Sequence, residues 1–519
     1  MLYCCICFTQ VRKRLKMKNE LFDLYDPDIK KIIIILDCLE EMPDEIDVKL
    51  LSERTNLSKI TVMNYLNQIS NYIEMTNSTK LELKFVNKNK FIWQVHDIYQ
   101  YLHLRNFIVQ NCSIIQLSVR LLLGNQVNKE EFLDEFYLSE STFKRRFRQL
   151  KLIFKPYNLT IKSNNGDLCL HGEEAVIRRV ARDQLIDLFV ACPWPFDEFE
   201  ESLMEEHLLR ALRIDEVERM DQDYFINADM LKIMKYDLAI QWIRIQNGYC
   251  ISLNEGIIKN IDFFYGLVEQ NILTVPEEFE DCTEKIYFMC SLLAKDIFYL
   301  LPISETVQEE LQSLQPPIYR FISFAIEEFE KNVLPITSEQ KQDVFPIILS
   351  IHLSNLIYPN WKGSSHYQIL DARVPSMNQA LTTYLKKLEH YDSSMIVRPI
   401  TMLKQAYEQI IGYITDYSIN SETIFVAVRG TNSILEMKIA ERIIEKTFSF
   451  FYNIEFDTKN PDLIIHMNQH ARYLFEDKQK QVLNCFISSS FVVEDMNLIR
   501  RALSQHLEMK VKIDAIESL

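Results

Sequence analysis

The stretch STFKRRFRQLK, residues 141 to 151, gathers Lys144, Arg145, Arg146, Arg148 and Lys151 in an otherwise acidic chain. Cations at helical spacing neutralise the phosphates of a nucleic-acid backbone, and arginine also reaches guanine edges in the major groove. The 519 residues carry a formal charge of −16, from 57 Lys and Arg against 73 Asp and Glu. The imbalance is uneven. Residues 1–180 hold 26 cationic and 22 anionic side chains, and the remainder hold 31 and 51. A mildly basic head on a strongly acidic body suggests that the head meets a polyanion, while the body keeps the protein soluble and repels that same polyanion.

Other chemistry-bearing residues offer less. Cys4, Cys5 and Cys7 lack the CxxC spacing of a structural zinc site, and no second ligand pair follows. Met17 reads as the natural start, with the residues before it as an upstream extension. The other cysteines are scattered, which suits buried thiols in a reducing compartment. His466 and His470 fall where the pattern reads as a strand running out into a loop, which is not a ligand helix. Neither a metal nor a cofactor is expected. Positive charges follow the apolar N-terminal residues, whereas a secretory signal places them before. No apolar run reaches membrane-spanning length. A cytoplasmic protein without a membrane partner is expected.

The elements that must position the cations are legible by pattern. Only 9 glycines argue against glycine-rich phosphate loops and turn-dense all-β folds, and 48% hydrophobic residues suffice for several cores in about three to five domains. In residues 47–73 a helix fits Val48 to Thr55, a turn follows at Asn56-Leu57-Ser58, and Ser58 caps a second helix. That helix buries Val62, Leu66 and Ile69 and shows Lys59, Thr61, Asn64 and Gln68 on its opposite face. This is the helix-turn-helix pattern. Two alternating runs around Asn87-Lys88-Asn89 then read as a β-hairpin wing, which places Lys88 at its tip.

The same unit recurs 81 residues later. A helix from Glu130 to Tyr137 precedes Leu138-Ser139, and the next helix buries Phe143, Phe147 and Leu150. Its solvent face is read as Ser141, Thr142, Lys144, Arg145, Arg146, Arg148 and Gln149. Another hairpin follows, with Asn165-Gly166 as its turn. The expected fold is mainly α and multidomain. Tandem winged helix-turn-helix units at 28–97 and 98–174 follow an N-terminal extension, 1–27. Two helical bundles are expected at 175–282 and 283–400, and a small α/β domain with a parallel sheet at 401–519.

This order of parts, with the paired helix-turn-helix units and the Pro193-Trp194-Pro195-Phe196 segment opening the first bundle, resembles the Mga/AtxA-like virulence regulators of Gram-positive bacteria. The resemblance covers residues from about 28 to the end. It implies a dimeric, double-stranded-DNA-binding transcription regulator that is not an enzyme. It also implies that the bundles are similar to phosphotransferase-system (PTS) regulation domains (PRDs), and that the tail looks like an enzyme IIB domain. His207 and His352 then stand as phosphorylation sites served by the phosphocarrier HPr, with His366 and His390 weaker. The tail departs from the family pattern. Val428-Arg429-Gly430 stands where an active enzyme IIB carries its nucleophilic cysteine, and Cys485 reads as core. Docking or dimerisation is therefore expected of the tail rather than phosphotransfer. The competing readings are a PTS phosphotransfer component and a PRD-type RNA-binding antiterminator. The missing cysteine argues against the first, and a helical head with two wings against the second.

Overall fold

A computed structural model of the chain describes residues 24–40, 42, 45–87, 89–189, 193–213, 228–277, 279, 281–295, 298–299, 301, 303–358, 375–415, 423–429, 434–457, 459–467, 482–487 and 493–517. Cys4, Cys5, Cys7, Met17, Lys88, His366 and His470 lie outside them.

The head opens with α1 (Pro27–Glu40), β1 (Glu45–Asp47), α2 (Val48–Thr55), α3 (Lys59–Met75), β2 (Leu81–Asn87) and β3 (Lys90–Val95). The three strands form one antiparallel sheet in the order β1-β3-β2, with Ile46 opposite Phe91 and Leu83 opposite Trp93. Next come α4 (Ile98–Gln110), α5 (Ser113–Leu122), β4 (Val127–Asn128), α6 (Lys129–Glu135), α7 (Glu140–Phe154), β5 (Thr160–Asn164) and β6 (Asp167–His171). Their sheet repeats the arrangement as β4-β6-β5. Asn165 and Gly166 both have positive φ, 52° and 94°, and join directly paired Asn164 and Asp167. This is the two-residue hairpin turn that the Asn-Gly pair favours.

The 81-residue repeat holds down to single backbone angles. Asn56 and Tyr137, at the two helix–helix turns, have φ of 54° and 48°. Asn77 and Asn158, beyond the two second helices, have φ of 49° and 58°. Left-handed residues end helices by satisfying carbonyls that the helix leaves open, and Leu57 N–H and Leu138 N–H donate to Ser52 O and Leu133 O.

The body is helical. It comprises α8 (Glu174–Phe189), α9 (Glu201–Leu212), α10 (Ala228–Gln246), α11 (Glu255–Ile258), α12 (Ile261–Glu269), α13 (Cys282–Leu293), α14 (Ile303–Leu314), α15 (Pro317–Asn332), α16 (Ser338–Ile357), α17 (Pro375–Tyr391) and α18 (Ile400–Ile414). One apolar core runs from Leu24 through the head and body to Ile411. The break expected at 400/401 meets α18, whose Leu403, Tyr407, Ile410 and Ile411 are buried in that core. Its buried stripe faces α16 and α17, so the structure places this helix with the body.

The tail consists of β7 (Thr423–Arg429), α19 (Ile434–Phe448), β8 (Asn453–Phe456), β9 (Leu463–His466), β10 (Leu483–Phe486) and α20 (Val493–Glu517). All three strand pairings are parallel, in the order β10-β9-β7-β8, over a core of its own. Cys485 belongs to that core, and burial pushes its thiol up to about 11. His466 is buried too, its Nε2 2.9 Å from Asn484 Oδ1 and its ring stacked on Phe486.

Candidate nucleic-acid interface

Each helix-turn-helix is built from short-range signals. Asp47 caps α2 by accepting from Lys49 N–H, and Asn128 caps α6 by accepting from Glu130 and Glu131 N–H. At the second helices Ser58 accepts from Thr61 N–H, and Ser139 accepts from Thr142 N–H. Each such cap is worth about 1 kcal/mol. Thr61 and Thr142 occupy equivalent positions. Their hydroxyls lie 2.7 and 2.9 Å from the cap serines, so both are already engaged in the turn.

Burial then turns one face of each helix outward. In α3 the buried residues are Val62, Tyr65, Leu66 and Ile69. Lys59, Asn64 and Gln68 are exposed, as expected. In α7 Phe143, Leu150 and Phe154 are buried, while Phe147 is half-buried and carries Lys151 Nζ over its ring at 4.6 Å. Ser141, Lys144, Arg145 and Arg148 are exposed, and Gln149 is half-buried. Lys144 is drawn to Glu140 at 3.2 Å, and Lys129 reaches the same carboxylate at 2.9 Å. Both cations hold the Glu140 carboxyl below its ordinary range. Arg145 and Arg148 form no ion pair with any described residue.

Arg146 corrects the reading of a uniform cationic face. Its side chain is 12% exposed, and its guanidinium lies 2.6 Å from Asp26 and donates to Ser113 Oγ at 2.8 Å. The equivalent residue in α3 is Tyr65, whose hydroxyl donates to Asp28 at 2.6 Å. Both positions brace the exposed helix against the preceding layer and are not available to a ligand.

Pattern reading missed several exposed residues. Ile60 is 76% exposed on the first turn of α3, and Asn67 and Asn71 share its face. Tyr137, at the second turn, is 96% exposed. Lys84 and Lys162 add charge to exposed strand positions of the two hairpins. The signal that could have found the α3 residues is the spacing 60, 64, 67, 71, a second helical stripe opposite the buried one.

The histidines sit differently from the cations. His207, on α9, is half-buried with its ring edge-on to Trp242 at 5.6 Å. His352, on α16, is fully buried, with Nε2 2.9 Å from the Tyr407 hydroxyl and Phe321 edge-on at 4.9 Å. As folded, its imidazole is out of reach of a phosphoryl donor, which removes it as an accessible phosphorylation site. Among the described residues, no group of three or more His, Cys, Asp or Glu could hold a metal ion, and no helix is long and apolar enough to cross a membrane.

Paired short helices presenting an exposed, partly cationic second helix define the helix-turn-helix class of DNA-binding protein. Residues 97–181 match the family model of the Mga helix-turn-helix domain, so this segment is similar to the DNA-binding domain of Mga-like regulators. The matched segment runs from α4 into α8 and includes α7. No curated protein matches the chain.

Proposed function

We propose that the protein is a transcription regulator that binds promoter duplex through two tandem winged helix-turn-helix units. The observation that carries this is α7, where Arg145 and Arg148 stand exposed, with no ion pair among the described residues, beside a cap-braced turn inside the segment that matches the Mga domain. Guanidinium groups in that position neutralise phosphates and displace condensed counterions, so affinity falls steeply with salt. The hairpins β2–β3 and β5–β6 serve as wings alongside.

Binding of the full chain to promoter and random duplexes, titrated with salt, tests the reading. For Arg145→Ala/Arg148→Ala the slope of log K against log salt is expected to flatten by about two units, near 0.9 per lost phosphate contact. An unchanged slope and affinity would remove α7 from the interface.

The body is proposed to act as a pair of PRD-like bundles and the tail as an enzyme IIB-like docking or dimerisation module. Transfer of phosphate from phospho-HPr would fall on His207, at the edge of the aromatic cluster of Trp194, Phe199 and Trp242. A phosphoryl group there adds charge beside packed rings and would repack them. The tail has no cysteine at the end of β7, which favours docking over turnover.

A further inference from the structure

The two units present the same stripe with opposite chemistry. On α3, Ile60, Asn64, Asn67 and Asn71 fall at i, i+4, i+7 and i+11 and line one exposed face, with Gln68 beside them. Shifted by 81, the same positions on α7 are Ser141, Arg145, Arg148 and Leu152. The α3 stripe holds no charge. Among the described residues, no side-chain hydrogen bond uses Asn64, Asn67, Gln68 or Asn71, and Ile60 stands 76% exposed at the leading turn.

Uncharged amides draw little on the phosphates, so this stripe adds almost nothing to sequence-independent attraction. It matches base edges instead. An Asn or Gln amide offers a donor and an acceptor in the geometry of adenine N6 and N7, and an aliphatic side chain packs on the thymine methyl. Guanidinium groups suit phosphates and guanine. From this contrast the geometry points to a division of labour. The first unit reads A·T base pairs in the major groove through Ile60 and the α3 amides, and the second unit supplies the electrostatic anchor. This rests on the DNA-binding reading above and sharpens it to a base class.

The test uses the full chain and duplexes selected from a random-core library, each compared with an unrelated duplex. Selection is expected to enrich A·T pairs in one half of the site. Asn64→Ala/Asn67→Ala should lose about tenfold or more on the selected duplex, with unrelated-duplex affinity and salt slope unchanged. Replacing thymine by deoxyuridine in the selected duplex removes the methyl group. That change should weaken the wild type severalfold and leave Ile60→Ala indifferent. Substituting 7-deazaadenine removes N7 and needs no variant, so it reports on the wild-type fold alone. Amide variants that weaken both duplexes equally, or neither, would overturn the inference, as would a wild type blind to both modified bases. Wild-type protein that binds no duplex at low salt would instead overturn the DNA-binding reading itself.

Discussion

In α7, Arg145 and Arg148 stand in solvent with no ion pair to a described residue, whereas in the body Arg178, Arg182 and Arg244 are buried and paired. Arg178 grips Glu284 through two bonds of 2.6 and 2.9 Å, and Arg244 grips Glu174 at 2.6 and 2.7 Å. Arg182 and Lys295 reach Asp237 at 3.3 and 2.9 Å. Burial pushes the Asp237 carboxyl up, but Arg182, Lys295 and Arg179 together hold it below its ordinary range. The same side chain therefore has two jobs. Where the fold closes its hydrogen bonds, arginine is part of the architecture. Where the fold leaves them open, it is free for a ligand. Arg146 shows that the border runs within one helix, because it closes on Asp26 and Ser113 while its neighbour Arg145 stays open.

The closed network also joins the two regions. Arg244 Nη1 donates to Leu122 O, at the end of α5, and Asn247 Nδ2 donates to Leu123 O. Gly124, with φ of +92°, follows at once, and a Cβ there would come within 2.8 Å of the Tyr249 ring. That ring lies over the Arg244 guanidinium at 4.3 Å. The layer that braces α7 is thus held by the same arginine that anchors α10 to α8.

Breaking the network should give the largest effect. Arg178→Ala leaves Glu284 buried, with Gln241 and the Ile251 N–H as its remaining side-chain partners among the described residues. Removing one partner of a buried pair costs about 3–5 kcal/mol, whereas exposed substitutions such as Arg145→Ala stay within about 0.5 kcal/mol. Urea unfolding followed by tryptophan fluorescence should show this as a large drop in midpoint for Arg178→Ala and none for Arg145→Ala. Replacing Arg178 and Glu284 together by methionine should recover most of the loss, because apolar residues of similar volume leave no orphaned charge. Equal midpoints for the two alanine variants would erase the contrast between closed and open arginines.

His352 sharpens the comparison by pH. Burial, aided by the nearby Arg398 cation and opposed by the backbone at Met395, lowers its pKa from 6.5 to about 4. Between those values the unfolded chain binds a proton that the folded one refuses. Stability is therefore full above pH 6.5 and falls as pH drops toward 4, by up to about 3 kcal/mol from this residue. His352→Gln should be less stable at pH 7 and should lose that part of the pH slope. A slope unchanged by the substitution would assign the acid sensitivity elsewhere.

Legibility followed locality. The span of α2, the caps Ser58 and Ser139 and the Asn165-Gly166 turn are set by residues within a few positions of one another, and all were readable in the sequence. The exposed face of α3 was only half read, because Ile60 looks like core until its angle around the helix is compared with that of Val62. Arg146 was misplaced because its partner Asp26 lies far away in sequence, and Arg178 and Glu284 are separated by 106 positions. The full burial of His352 is not legible in the sequence, because amphipathic spacing cannot tell one packed face from two. The break at 400/401 fell before α18 for the same reason, since its buried stripe names no partner.

The smallest expected effect lies at the two equivalent turns. Asn56 and Tyr137 both take the left-handed conformation, with φ of 54° and 48°. Asparagine tolerates it, but a bulky side chain pays about 1–2 kcal/mol relative to glycine there. Tyr137 recovers none of this by burial, being 96% exposed. Tyr137→Asn should therefore stabilise the chain by about 1 kcal/mol, while Asn56→Tyr should cost a similar amount. Urea midpoints measured alongside duplex affinity distinguish two origins of the strained ring. If Tyr137→Asn gains stability and binds duplex as before, the residue is a tolerated defect of a turn fixed by its neighbours. If it gains stability and loses affinity, the strain is held for the interface, and the open region extends from the α7 cations to the turn that precedes them.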